Sequence, residues 1–277
     1  MIFHAGAARL RRALAPVLAA AVLAGCSATP DTSGASPARV SRPPAGAAFD
    51  YQLGGPYRPG DDVRVVARDR TARPVRGLYN ICYVNAFQAQ PDAKRWWRRE
   101  RPELLLRDAD GRIVVDEDWG EPLLDISTAG KRSSLAGLVG RWFDGCADSG
   151  FQAVEPDNLD SYTRSKGLLK KSDALAFARL LASRAHAAGL AVGQKNTAEL
   201  LPERAGTGFD FAVAEECARY DECGAYAKAY DDRVYVIEYR ARDFARACAR
   251  WGDRLSVVLR DRDVRPAGAK GYVRRAC

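Results

Sequence analysis

The run Phe151-Gln152-Ala153-Val154-Glu155-Pro156-Asp157-Asn158-Leu159-Asp160-Ser161-Tyr162 decides how the rest of the chain is read. Its apolar start, Phe151 to Val154, predicts a buried strand. Three carboxylates follow at once: Glu155, Asp157 and Asp160. Side chains alternate along a strand, so Glu155 and Asp157 point the same way. In a closed parallel barrel that direction is the lumen, at the end where acids do chemistry more often than they support the fold. The plainer reading is a solvated acidic loop after a strand.

Working outward, the same pattern recurs. Short apolar runs end in polar, often acidic, residues. Upstream, strands are predicted at Phe49 to Leu53, Val63 to Ala67, Gly77 to Phe87 and Pro122 to Ile126. Downstream they are predicted at Leu190 to Asn196, Asp210 to Ala214, Val234 to Ile237 and Leu255 to Leu259. Between them lie helical periodicities at Leu135 to Ser149, Ser172 to Ala188 (Ser172 as N-cap) and Ala241 to Ala249. Strands alternating with helices predict a parallel sheet. No glycine-rich phosphate turn follows the first strand, which counts against a doubly wound sheet. The expectation is an α/β fold, a single-domain (β/α)8 TIM-type barrel over residues 49–277. Nine candidate strands compete for eight places, so one is peripheral.

The first 25 residues read as a signal peptide. Arg9, Arg11 and Arg12 precede an apolar stretch, Ala13 to Ala24, that is too short for a strong membrane span. Leu23-Ala24-Gly25-Cys26 looks like a bacterial lipobox, with Cys26 the lipidated residue. Residues 26–48, rich in Ser, Pro, Ala and Gly, read as a flexible tether. The expected location is therefore extracytoplasmic: an exported bacterial lipoprotein of the cell envelope, held to the membrane by its lipid only. The formal charge of the whole chain is +8, and losing the three leader arginines leaves about +5. The arginines are scattered, so no nucleic-acid partner is expected.

Seven cysteines leave six after Cys26, an even number that predicts disulfides in an exported protein. Cys217 with Cys223 and Cys248 with Cys277 are plausible pairs, leaving Cys82 and Cys146. Other connectivities stay open; no free thiol is expected among the six, Cys82 being the one to stay unpaired if the framework failed. Of two histidines only His186 lies beyond the leader, inside a helix. That excludes histidine triads and multi-histidine zinc sites. Asp108-Ala109-Asp110-Gly111 reads as a turn, and no metal or cofactor is expected. Chemistry must rest on carboxylates, tyrosines or lysines.

Taken in order, Tyr51-Gln52-Leu53, Tyr83-Val84-Asn85, Glu155-Pro156-Asp157-Asn158, Gln194-Lys195-Asn196, Glu215-Glu216-Cys217 and Val236-Ile237-Glu238-Tyr239 resemble glycoside hydrolase family 114, the endo-α-1,4-polygalactosaminidase-like proteins. The resemblance covers about Phe49 to Cys277. It implies a TIM-type barrel and endo-acting hydrolysis of α-1,4-linked, galactosamine-containing polysaccharide. It also implies that the catalytic acids fall on Asp157 and Glu215. The family's polar residue before that glutamate is Ala214 here, which leaves Glu216 as the fallback.

Two carboxyls are what glycoside cleavage needs, one to protonate the leaving oxygen and one to attack carbon or activate water. Glu155, Asn158, Lys195, Asn196, Glu216, Glu238 and Tyr239, at or beside strand ends, are candidate substrate-binding groups. Trp119, in the loop Asp118-Trp119-Gly120, is the candidate sugar platform, whereas Trp142 belongs to a helix core. Tyr51 is assigned to core packing. The acidic crowd suits a cationic amino-sugar polymer, acted on by a monomer. The alternative function is a lipoprotein that holds glycan on the same barrel without cutting it.

Overall fold

A computed structural model describes residues 40–277. The leader, Cys26 and most of the expected tether lie outside the described residues. Eight parallel strands make the barrel: β1 (Phe49–Gln52), β2 (Val65–Asp69), β3 (Tyr79–Asn85), β6 (Ala153–Asp157), β7 (Ala191–Lys195), β8 (Phe211–Glu215), β9 (Val234–Glu238) and β10 (Ser256–Arg260). They pair in that order, and β10 comes round to lie against β1. A short strand, β11 (Arg274–Ala276), adds antiparallel to β10. The peripheral ninth prediction is found outside the barrel: β4 (Val115–Asp116) and β5 (Glu121–Pro122) form a separate small hairpin.

Helices follow only some strands. The chain from β3 passes through α1 (Lys94–Glu100) and the β4–β5 hairpin before α2 (Ala129–Ser149). Then α3 (Lys171–Ala187) follows β6, α4 (Arg204–Thr207) follows β7, α5 (Cys223–Tyr230) follows β8 and α6 (Ala241–Trp251) follows β9. The β1–β2 and β2–β3 connections contain no helix. The outer face of β1 and β2 is accordingly polar. Buried Asp50 accepts from Gln52 Nε2 at 2.8 Å and Tyr57 Oη at 2.7 Å, and lies 3.5 Å from Arg260 Nη1 and 3.3 Å from Arg274 Nε. These contacts tie β1 to β10 and β11 by side chains.

Period-two alternation sorts the rest. Phe49, Tyr51, Val65, Ala67, Ile81, Phe211, Val213, Tyr235, Ile237 and Val258 fill the lumen. Gly193 stands in β7 because a Cβ there would sit 2.8 Å from the Phe211 ring. The opposite faces of the same strands pack on α2, α3 and α5 through Val154, Val192, Val234 and Val236.

The helix boundaries refine the sequence reading. α2 begins six residues before Leu135 because the Thr128 hydroxyl caps it, accepting from Lys131 N–H at 3.3 Å. α3 begins at Lys171, so Ser172 is inside it. The entry bond is instead Lys170 N–H to Asp173 Oδ2, 2.9 Å. The disulfides are Cys82–Cys146, Cys217–Cys223 and Cys248–Cys277, so all six cysteines are paired, as expected.

The described residues ahead of Phe49 pack on the barrel. Residues 40–48 close the lower mouth of the barrel, where Val40 and Ala47 pack on the lumen cluster. Tyr79 Oη donates to Ser41 O at 2.5 Å and Tyr235 Oη to Pro44 O at 2.6 Å. The two lumen tyrosines have found buried-end partners in this segment, as buried hydroxyls require.

Candidate active site

At the upper mouth three strand ends converge on one ammonium. Lys195 Nζ, from the end of β7, lies 3.1 Å from Glu155 Oε1, 3.2 Å from Asp157 Oδ1 and 3.4 Å from Glu215 Oε2. It also donates to Tyr51 Oη at 3.1 Å. Glu155 and Asp157 do face one way, as β6 alternation dictates. Glu155 is fully buried at the floor; the side chains of Asp157 and Glu215 keep 17% and 27% of their exposure, open to the cleft.

Each acid has its own clamp. Tyr83 Oη donates to Asp157 Oδ2 at 2.8 Å, and Asn158 N–H to Oδ1 at 2.8 Å. Glu215 and Asn196 bond reciprocally: Asn196 Nδ2 to Glu215 Oε2 at 2.9 Å, and Glu215 N–H to Asn196 Oδ1 at 2.7 Å. Tyr239 Oη donates to Glu215 Oε1. Tyr51 Oη donates to Glu155 Oε1 at 2.8 Å. Asn158, Asn196 and Glu216 all take left-handed backbone just past their strands, with φ of 66°, 48° and 56°. Asparagine tolerates that region. For Glu216 the conformation costs about 1 kcal/mol, set against its arginine contacts.

Electrostatics separate the acids. Burial pushes Asp157 up, but the Lys195 charge, the Tyr83 hydroxyl and the Asn158 N–H outweigh it and hold the carboxyl below its usual range. Burial dominates at Glu155, against Lys195, and lifts it to about 7. Burial lowers Lys195, yet the charges of Asp157, Glu215 and Glu155 more than reverse this and keep it protonated. Three carboxylates around one cation would leave net negative charge at the floor. A proton retained on Glu155 relieves it.

The cleft above has a volume of about 880 Å³ and is lined by nine carboxylate side chains against Arg164, Lys195 and Arg262. Its sign is therefore negative although the whole chain is positive. Trp119 stands on its wall, 54% exposed.

A family model matches residues 29–277. The chain belongs to glycoside hydrolase family GH114. Of solved structures, Aspergillus fumigatus Ega3 in complex with galactosamine is similar, with TM-score 0.68 and 25% identity over 86% of this chain and 98% of that one. The glycoside hydrolase domain of PelA from Pseudomonas aeruginosa shares the fold, with TM-score 0.54 and 17% identity over 80% and 97% of the two chains. Among curated protein sequences none matches the chain.

In this GH114 barrel Asp157, Asn158, Lys195, Asn196, Glu215, Glu216, Tyr239 and Trp119 all line the cleft. Glu155 lies beneath it. Glu216 is neutralised by Arg219 Nη1, at 2.9 and 3.0 Å, and lies 3.4 Å from Arg262 Nη1. Glu238, expected to bind substrate, is not among the lining residues. It sits on the outer face of β9, fully buried, where Oε1 accepts Ala218 N–H at 2.8 Å and supports the Cys217–Cys223 loop. Burial, opposed by that N–H, raises it to about 7. Tyr51 fills the lumen and also bonds at the floor, so its role is wider than packing.

Sequence reasoning quoted Tyr83 and Asn85 only as part of the family resemblance, gave them no site role, and passed over Glu121 and Tyr220. Tyr83 was open to inference, because it stands opposite Glu155 in the β3–β6 register. Glu121 and Tyr220 lie in irregular stretches with no period to place them.

Proposed function

We propose that this glycoside hydrolase is an endo-acting enzyme that cleaves an α-1,4-linked, galactosamine-containing polysaccharide with retention of configuration. Asp157 is the nucleophile and Glu215 the acid and base. The observation that carries the reading is the Lys195 ammonium between the two carboxyls. Contacts of 3.2 and 3.4 Å to one nitrogen put those two oxygens no more than 6.6 Å apart, the sum of the distances. Retaining enzymes hold their carboxyls about 5–5.5 Å apart and inverting ones about 6.5–9.5 Å.

Asp157 is kept ionised by Lys195, Tyr83 and Asn158, as attack on the sugar carbon requires. Glu215 protonates the leaving oxygen, then takes a proton from the water that releases the sugar from Asp157. The acidic cleft suits a cationic polymer, and the galactosamine in the Ega3 complex supports this amino sugar as the unit.

The test is digestion of partly deacetylated galactosaminogalactan, with products sized by mass spectrometry and their first-formed anomer read by NMR. Internal cuts with an α product are expected. No shortening, under conditions where Ega3 is active, would leave glycan holding as the function.

The same reading places the protein as a monomer in the cell envelope, lipidated at Cys26. Three disulfides accord with an extracytoplasmic site. Cys26→Ser is expected to abolish acyl labelling and release the protein from membranes. A labelled mutant would refute the anchor.

A further inference from the structure

Glu121 is the cleft carboxylate that is buried yet has no salt-bridge partner among the described residues, the Lys94 ammonium acting on it only from beyond that range. Among the described residues, four cleft carboxylates have no cationic side chain within 4.0 Å: Asp69, Glu121, Glu199 and Glu222. Of these only Glu121 is buried, at 9% exposure. Its neighbour across the β4–β5 hairpin, Asp116, shows the contrast, for Arg164 Nε sits 2.7 Å from it. Glu121 has one polar side-chain partner, Asn85 Nδ2, which donates to Oε2 at 2.8 Å. Oε1 has no hydrogen-bond partner among the described residues. Burial raises the group to about 7 against the Asn85 bond and the more distant Lys94 charge, with Asp157 and Asp116 adding to the rise. A buried carboxylate left without a cation is costly, and a ligand cation relieves that cost.

The surroundings say where such a cation would come from. Asn85 also accepts from Asn158 Nδ2 at 3.0 Å, and Asn158 follows Asp157. Glu121 is thus joined to the nucleophile's loop through two amides. Two residues earlier, Trp119 stands on the same wall with its ring open to the cleft. Gly120 between them has φ 64°, a turn that lets both side chains line one cavity. A carboxylate beside an exposed indole is equipment for an aminated sugar ring, with the ring's apolar face on the indole and its ammonium on the acid.

We propose that Glu121 and Trp119 form a subsite that selects a free-amine sugar over its N-acetylated form, with Glu121 the specificity-determining residue. The proposal rests on the amino-sugar reading above. An acetamide brings no charge to Oε1 and leaves the buried carboxylate uncompensated. A free ammonium supplies both the charge and a donor.

The experiment compares kcat/KM on α-1,4-galactosamine polymer, fully deacetylated or chemically N-acetylated, for wild type and Glu121→Gln. Wild type is expected to prefer the free-amine polymer. In Glu121→Gln the ratio of the two constants falls by about 10-fold to 100-fold, the range of a lost hydrogen bond to a charged group. If both constants fall together and the ratio stands, Glu121 is only a scaffold residue and the proposal is overturned. Should Glu121→Gln not fold, wild type alone decides through competition by free-amine and N-acetylated oligomers. Equal inhibition by the two would overturn the subsite. Wild type that cuts neither polymer overturns the functional reading itself, a different failure from an unchanged ratio.

Discussion

At the scale of single residues, one lysine organises the chemistry. Lys195 links Glu155, Asp157 and Glu215, and its ammonium helps hold Asp157 below the usual carboxylate range. Asp157→Asn and Glu215→Gln should each keep the fold and lower turnover by at least about 100-fold, because neither amide attacks as a carboxylate or exchanges the needed proton. Glu216→Gln should cost little by comparison, since Arg219 and Arg262 already occupy that carboxylate. An inactive Glu216→Gln beside an active Glu215→Gln would move the acid by one position. Tyr83→Phe tests the clamp on the nucleophile. It removes a donor that favours ionised Asp157, so the acid limb of the kcat/KM profile should move to higher pH by roughly one unit. A limb that stays put would show that Tyr83 does not tune this acid.

At the scale of elements, the strands were legible and the connections were not. Parallel strands buried on both faces read as apolar runs, and each such run in the barrel ends where the residues turn polar. Alternation then sorts the ends: it brings Glu155 and Asp157 together and, applied to β9, puts Glu238 outside with Val234 and Val236. Placing Glu238 in the cleft ignored that count. The β4–β5 hairpin is a different case. Its strands are two residues long and carry no period, so Glu121 could be placed only by the register with Asp116. The start of α2 was hidden because Ala129 to Ser134 carry no apolar stripe, and a single threonine cap sets it. The disulfides join elements over very different spans. By loop-closure entropy, removing Cys82–Cys146, 64 residues apart, should cost about 4 kcal/mol, and Cys217–Cys223, 6 apart, about 2 kcal/mol. Serine pairs compared by urea unfolding check the order. The smaller loss should carry the larger loss of activity, because that loop follows Glu215 directly and holds Tyr220 on the cleft wall.

At the scale of the whole molecule, three buried glutamates shape the response to pH. Glu121, Glu155 and Glu238 are each raised from an ordinary 4.5 to about 7, chiefly by burial. Between those values the folded chain binds more protons than the unfolded one, so stability falls as pH rises across the window. Asp157, held low, acts in the other sense, and its contribution is lost as pH drops through its folded value. The Tm should therefore be higher near pH 5 than near pH 8, and Glu238→Gln should flatten that slope. A Tm that climbs steadily from pH 5 to 8 would contradict this balance. The plug at residues 40–48 bears on geography. The chain arrives beneath the barrel, and the strands, about 16 Å long, carry the acids to the far end. Val40 and Ala47 thus stand behind the barrel, at the end away from the acids. The mouth looks the other way, so sealing the barrel at one end and receiving a ligand at the other never compete for one face.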